Sequence, residues 1–364
     1  MKKLSFENID DLAIGCAIMG SGGGGDVELP LMMAKMEMER SGPVHLINFS
    51  ELKPDDVIMP IGFMGAPSAE VEKLHSGKEF EIMLDYVEKT LKKKVTVLMP
   101  FEIGGGNGIL PIAEAAKLGL PVLDADTMGR AFPEAQMSSC NMLGACASPG
   151  FITDCLGNTT VIYAANSQVL EKIGRQVVVA MGSVASFGFF PLNPIEAEKC
   201  TFHKSLSKAI AIGKVVRESR EGGNDPINAL LTLCKGVKIG SGKITDIDRA
   251  ISRGFLYGAV SMQNKTEKLE LEFQNEYLLA KRDGKIVATT PDIIMLLEQQ
   301  TGSPINSQQL QYGLKVHLVA LPAPPLWTTS AGLQLVGPRH FGYETDYHPI
   351  SNLKHAHHPA GNFS

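Results

Sequence analysis

The run Val95-Thr96-Val97-Leu98-Met99 constrains the fold more than any other stretch of this chain. It is short, rich in aliphatic and β-branched residues, and cut off by Pro100. Such a run reads as a strand covered on both faces, which belongs to a parallel sheet flanked by helices. It leads into Phe101-Glu102 and the loop Gly104-Gly105-Gly106-Asn107-Gly108. A helical pattern precedes it near 79–92 and another follows at 110–118. Pro121-Val122-Leu123 then opens a further strand, ending in Asp124-Ala125-Asp126. Upstream, Val44–Phe49 and Val57–Ile61 read as strands. Residues 8–19 and 28–40 read as helices, the first capped by Asn8 and the second with Pro30 in its first turn. Val161–Ala164 and Val177–Ala180 are strand candidates that continue or flank the sheet. The alternation predicts an α/β fold whose mainly parallel N-terminal sheet has flanking helices.

The pattern changes in the stretch 165–200. Helices are expected at 201–219 and 225–234, followed from 235 to 320 by short alternating runs such as Leu269-Glu270-Leu271-Glu272-Phe273 and Lys285–Ala288. Turn signals such as Arg282-Asp283-Gly284 separate them. This predicts a β-rich α+β C-terminal domain. Two domains also suit a length of 364 residues, because single cores rarely grow beyond ~250–300 residues. The expected organisation is 1–165, 166–350, and a loose polar tail over 351–364 that carries His355, His357 and His358.

With 44% hydrophobic and 20% charged residues the chain can build a core. A net charge of −5 argues against a nucleic-acid surface. No apolar run approaches the ~20 residues of a membrane span, and the first 19 residues lack the pattern of a secretory signal. Six cysteines are scattered without a C-x-x-C, as expected of reduced thiols in a cytoplasmic protein.

Three loops carry candidate chemistry. Gly20-Ser21-Gly22-Gly23-Gly24-Gly25-Asp26 lets backbone N–H groups approach a ligand, and the helix beginning after Asp26 adds its positive end. The loop follows a helix and lacks G-K-[ST], so it is neither a dinucleotide fingerprint nor a phosphate loop. A tight inter-helix turn is the alternative. Glu102, with Gly105 and Asn107 behind it, lies beyond the carboxyl end of a strand, where ligands bind in open α/β sheets. There it can serve as acid, base or metal ligand, or merely cap a helix. Asp124 and Asp126 follow the next strand, with Arg130 and Glu134 close behind. Two acids in one site raise one pKa, and Arg130 can hold a carboxylate through two hydrogen bonds. A charge-paired structural loop explains the same residues. Cys140 is a nucleophile candidate, although free cysteine is more often core. A divalent metal, zinc for example, rests on the clustered acids and the tail histidines.

Taken together, Gly22-Gly23-Gly24-Gly25-Asp26, Glu102-x-Gly104-Gly105-x-Asn107, the string Leu118 to Glu134, Asp154-x-x-Gly157-Asn158, Thr290-Pro291-Asp292 and Val336-Gly337-Pro338-Arg339 resemble the S-methyl thiohydantoin desulfurase family over about 8–345. The Asp124–Glu134 string is the most specific of these pieces. The resemblance implies a two-domain enzyme that hydrolyses an S-methylated thiohydantoin, losing methanethiol and leaving a hydantoin. It also implies hydantoinase- or oxoprolinase-type enzymes as companions. The segment Met137-Ser138-Ser139-Cys140-Asn141-Met142 departs from the family's His- and Thr-richer pattern.

The expected reading is a hydrolase acting on a small thiohydantoin- or hydantoin-like ring. Glu102, Asp124 and Asp126 would be catalytic. Gly23, Gly24, Gly25, Asp26, Gly105, Asn107, Arg130 and Glu134 would bind the substrate. A homo-oligomer and a hydantoinase-type partner are the expected associations. The alternative is a non-catalytic ligand-binding or scaffolding subunit of a hydantoinase-type enzyme.

Overall fold

The computed structural model describes residues 2–65, 73, 75–252 and 254–355. The tail histidines His357 and His358 and the side chain of His355 lie outside the described residues.

Eight strands form the first sheet. In spatial order they are β1 (Lys2–Lys3), β2 (His45–Ile47), β5 (Val122–Leu123), β4 (Val97–Pro100), β3 (Ile58–Gly65), β9 (Val184–Gly188), β7 (Gly150–Thr153) and β8 (Thr159–Ile162). The centre is parallel, β2 to β5 to β4 to β3. The flanks are antiparallel: β1 on β2, then β9, β7 and β8 beyond β3. The buried run 95–99 is therefore a central strand, with all four residues of β4 buried. The helices Phe6–Met19, Glu28–Ser41, Glu79–Leu91 and Leu110–Leu118 accompany the parallel part. Ser5 caps the first of these, and Asn8 returns the bond as the third residue of a capping box.

One expectation changes. Val177–Ala180 is the end of the helix Ser167–Ala180, not a strand. Its three consecutive valines have strand propensity, but Leu170, Gly174 and Val178 repeat at helical spacing on a buried face. The strand inserted beside β3 is instead β9. The first sheet thus draws on residues beyond 165.

The second sheet also has eight strands. Among them are β13 (Lys268–Gln274) and β14 (Glu276–Arg282). Every pairing in it is antiparallel. The buried apolar residues of the two halves are continuous: Leu12 and Cys16 of the first helix share a cluster with Ala209 and Ile212 of the helix Ser205–Glu221 and with Tyr277 and Ile294 of the second sheet. No helix among the described residues is long and apolar enough to cross a membrane.

Candidate active site

The four-glycine loop is the joint between the two sheets. Ser21 Oγ donates to the Ile294 carbonyl at 2.8 Å, the Tyr277 N–H to the Ser21 carbonyl at 2.6 Å, and the Ser307 N–H to the Gly22 carbonyl at 2.9 Å. On its other side the loop meets the glycine loop that follows β4. The Gly106 and Asn107 N–H groups donate to the Gly25 and Gly24 carbonyls, each at 3.2 Å. A Cβ on Gly24, whose φ is +76°, would fall 2.2 Å from the Gly104 carbonyl oxygen. Only glycine permits this backbone-to-backbone contact.

A cavity opens where these loops meet the ends of β3 and β4. Gly23, Gly24, Gly25, Glu102, Asn107 and Glu276 line it on the polar side. Phe63, Met64, Phe101, Met128, Phe132 and Phe187 line it on the apolar side.

Glu102 reaches the cavity because the chain beyond β4 is gripped from behind. The Phe101 N–H donates to the Ile61 carbonyl at 2.9 Å, while Thr127 Oγ1 donates to the Phe101 carbonyl at 2.6 Å. The Ile103 N–H donates to Asp126 Oδ2 at 3.0 Å. The Glu102 carboxyl accepts from Asn107 Nδ2 at 2.8 Å and from the Phe132 N–H at 3.3 Å. Asn107 is fixed in turn by the Phe63 backbone, accepting from its N–H at 2.7 Å and donating to its carbonyl at 3.0 Å.

Glu276 comes from the second sheet. It follows Asn275, which turns the chain between β13 and β14 at a φ of +56°. Its Oε1 accepts from the Gly24 N–H at 3.2 Å, and its buried Oε2 meets no hydrogen-bond partner among the described residues. A Cβ on Gly23 would stand 2.0 Å from that Oε1. Loop and carboxylate are built to touch.

Burial dominates the electrostatics. Glu102 is held well above the ordinary carboxylate range, first by desolvation and then by the charge of Glu276. Desolvation likewise raises Glu276 to about 7, opposed by the positive charge of Arg130. Two carboxyls with raised proton affinity in one water-poor cavity are the arrangement general acid–base chemistry uses.

The other expected site residues are placed differently. Asp124 and Asp126 do not line this cavity. Asp124 accepts from the Ser207 N–H at 3.0 Å and from Ser207 Oγ at 2.5 Å, capping the helix Ser205–Glu221 from outside. Asp126 accepts from the Ile103, Met128 and Gly129 N–H groups at 3.0, 3.0 and 2.7 Å and from Ser205 Oγ at 2.6 Å. Burial still lifts it to about 6 against those bonds. Both acids act on the backbone. Arg130, expected to anchor a carboxylate, is fully buried behind the cavity wall. Its Nη1 donates to the Pro291 and Asp292 carbonyls at 2.8 Å each, and its guanidinium lies 4.5 Å over the Phe132 ring. Asp26 starts the helix Glu28–Ser41, accepting from the Glu28 N–H at 2.8 Å, and faces a separate cavity across the glycine loop. The Gly105 N–H donates to the Cys16 carbonyl at 2.7 Å. Glu134 stands on a surface hollow with His340. Cys140 is fully buried and desolvation pushes its thiol up, which removes it as a nucleophile.

Glu276 was not visible to sequence reasoning, because it lies between two alternating runs and its partners are some 250 residues away in the chain. The one local sign was an Asn-Glu pair opening a fully apolar strand segment, Tyr277–Ala280. Among the described residues no group of three or more His, Cys, Asp or Glu is disposed to hold a metal ion. Asp124 and Asp126 are occupied by backbone N–H groups and serine hydroxyls.

Comparisons with known proteins agree over both halves. Residues 7–164 match the family model described as S-Me-THD-like, N-terminal domain, and residues 165–350 the one described as S-Me-THD-like, C-terminal domain. The fold is similar to a crystal structure of a protein from Chromobacterium violaceum, with a TM-score of 0.78 over 96% of this chain and 100% of that one. At 21% identity this likeness speaks for the fold alone. No curated protein matches the chain.

Proposed function

The chain belongs to the S-Me-THD-like family, and from that premise we propose that it is a hydrolase of a small thiohydantoin-like ring, with Glu102 and Glu276 as its acid–base pair. The carrying observation is that two buried carboxyls of raised proton affinity, one beyond a strand of each sheet, line the same cavity. Asp126 holds the backbone next to Glu102 through the Ile103 N–H and so acts by positioning, while Asp124 caps the helix Ser205–Glu221.

The chemistry follows from these two groups. The target carbon carries an S-methyl group and a double bond to nitrogen. Glu276 as carboxylate takes a proton from water while the water oxygen bonds to that carbon. The C=N electron pair moves to nitrogen, which takes the proton of Glu102. Glu102, now a carboxylate, then takes the proton of the new hydroxyl. The carbonyl forms, the C–S bond breaks, and the thiolate leaves with the electron pair and the proton held by Glu276. Both carboxyls return to their first states, and water and substrate have become a hydantoin and methanethiol. The apolar wall excludes bulk water and strengthens these interactions. Gly25 also lines the cavity, and its N–H is proposed to meet charge developing on the ring. No step is routed through a metal.

The test is incubation of the purified protein with S-methylated thiohydantoins, following methanethiol with a thiol reagent and the hydantoin by mass spectrometry. Stoichiometric release of both is expected. A folded protein that releases neither from any ring contradicts the reading. Full activity of a hydantoinase-type partner supported by the Glu102→Gln, Glu276→Gln double variant would favour a binding subunit instead.

A further inference from the structure

The charges around the cavity say which rings it takes. Four phenylalanines and two methionines form its apolar side, and Glu102 and Glu276 are its acids. Among the described residues Arg175 is the only cation that lines it. That guanidinium is spoken for: Nε and Nη2 donate to Glu171 Oε1 at 2.8 and 2.6 Å, Nη2 also donates to the Pro133 carbonyl at 3.1 Å, and the group stacks 4.4 Å over the Phe255 ring. Arg130 does not line the cavity: it is fully buried over the Phe132 ring, and its Nη1 holds two backbone carbonyls while Nη2 meets no partner among the described residues. The Gly24 N–H, a natural anion donor, is taken by Glu276.

We infer that the site selects neutral rings bearing an apolar ring substituent and rejects rings that carry a carboxylate. This rests on the proposed function for the ring class, and it reverses the expectation that Arg130 anchors a substrate carboxylate. A carboxylate entering the cavity would leave water for two acids and, among the described lining residues, no free cation. Uncompensated buried charge of that kind is strongly disfavoured. An aliphatic or benzyl group would instead bury its surface against aromatic and thioether side chains.

The experiment is calorimetric titration of the wild-type protein with four hydantoins, the unreactive product form, differing only at ring carbon five. The substituents are benzyl, isobutyl, carboxymethyl and carbamoylmethyl. Benzyl and isobutyl rings are expected to bind at least 100-fold more tightly than the carboxymethyl ring. The carbamoylmethyl ring, of the same size but neutral, is expected to recover at least ten-fold of that loss. Binding of the carboxymethyl ring equal to or tighter than that of the isobutyl ring overturns the inference, as does the absence of binding by all four. Turnover of the matching S-methylated rings is scored separately. If none is turned over while the binding order holds, the hydrolase reading fails and the selectivity stands.

Discussion

At the scale of single residues, the account rests on two carboxyls that burial keeps hungry for protons. Glu276 must be ionised to take a proton from water, and its pKa is raised to about 7. The value of kcat/KM is therefore expected to fall as pH drops below about 7, and to fall again at higher pH as Glu102 gives up its proton. A stopped assay of methanethiol release from pH 5 to 10 reads this directly. Glu102→Gln and Glu276→Gln each remove a proton carrier while keeping size, and each is expected to lower kcat/KM by at least about 100-fold with an unchanged circular dichroism spectrum. Gly23→Ala reaches the same pair indirectly, since its methyl group would claim the space of the Glu276 carboxyl. Its expected result is a loss comparable to that of Glu276→Gln. Glu102 was legible in the sequence because strand-end position is a local property: a buried run, a proline stop, then an acid. Glu276 was not, because nothing in its own neighbourhood marks it. Only the antiparallel turn at Asn275 and the glycine loop bring it to the cavity.

At the scale of elements, the acids after β5 are structural fasteners. Asp124 caps the helix Ser205–Glu221, whose own cap residue Lys204 contributes no side-chain bond. Asp124→Ala is expected to cost about 1–2 kcal/mol, the usual worth of an N-cap. Asp126→Ala strands three backbone N–H groups, so its cost is expected to reach about 3 kcal/mol or more. Denaturant unfolding measures both. Asp124→Ala, once folded, is expected to keep near-normal kcat, which separates this account from one in which Asp124 does chemistry. The sequence marks this string as the specific part of the chain and expects chemistry of its acids, whereas the structure sets them on backbone N–H groups and serine hydroxyls. Alternating acids beyond a strand look alike whether they face a ligand or backbone amides. The helices Leu110–Leu118 and Glu79–Leu91 were readable from their apolar spacing. The helix Ser167–Ala180 was obscured by its valines, and with it the insertion of β9 beside β3.

At the scale of the whole molecule, burying acids makes stability depend on pH. Glu114, on the helix Leu110–Leu118, is 3% exposed, and desolvation raises it from 4.5 to about 7. A carboxyl whose folded pKa lies above its unfolded one stabilises the fold fully below about 4.5 and loses that contribution as pH rises through about 7. Glu114→Gln is expected to leave stability near pH 4 almost unchanged and to raise it by about 3 kcal/mol at pH 8, read from unfolding midpoints at the two pH values. The central claim also lives at this scale, because the acid–base pair exists only where the two sheets meet: Glu102 extends from β4 and Glu276 opens β14. It is tested most directly by following the side-chain carboxyl signals of both residues by carbon-13 NMR, in the wild-type protein and in Glu276→Gln. The account expects Glu276 to titrate near 7, Glu102 to titrate above the ordinary carboxylate range, and the Glu102 midpoint to fall when the charge of Glu276 is removed. Two midpoints near 4.5, or a Glu102 midpoint indifferent to Glu276→Gln, would contradict it.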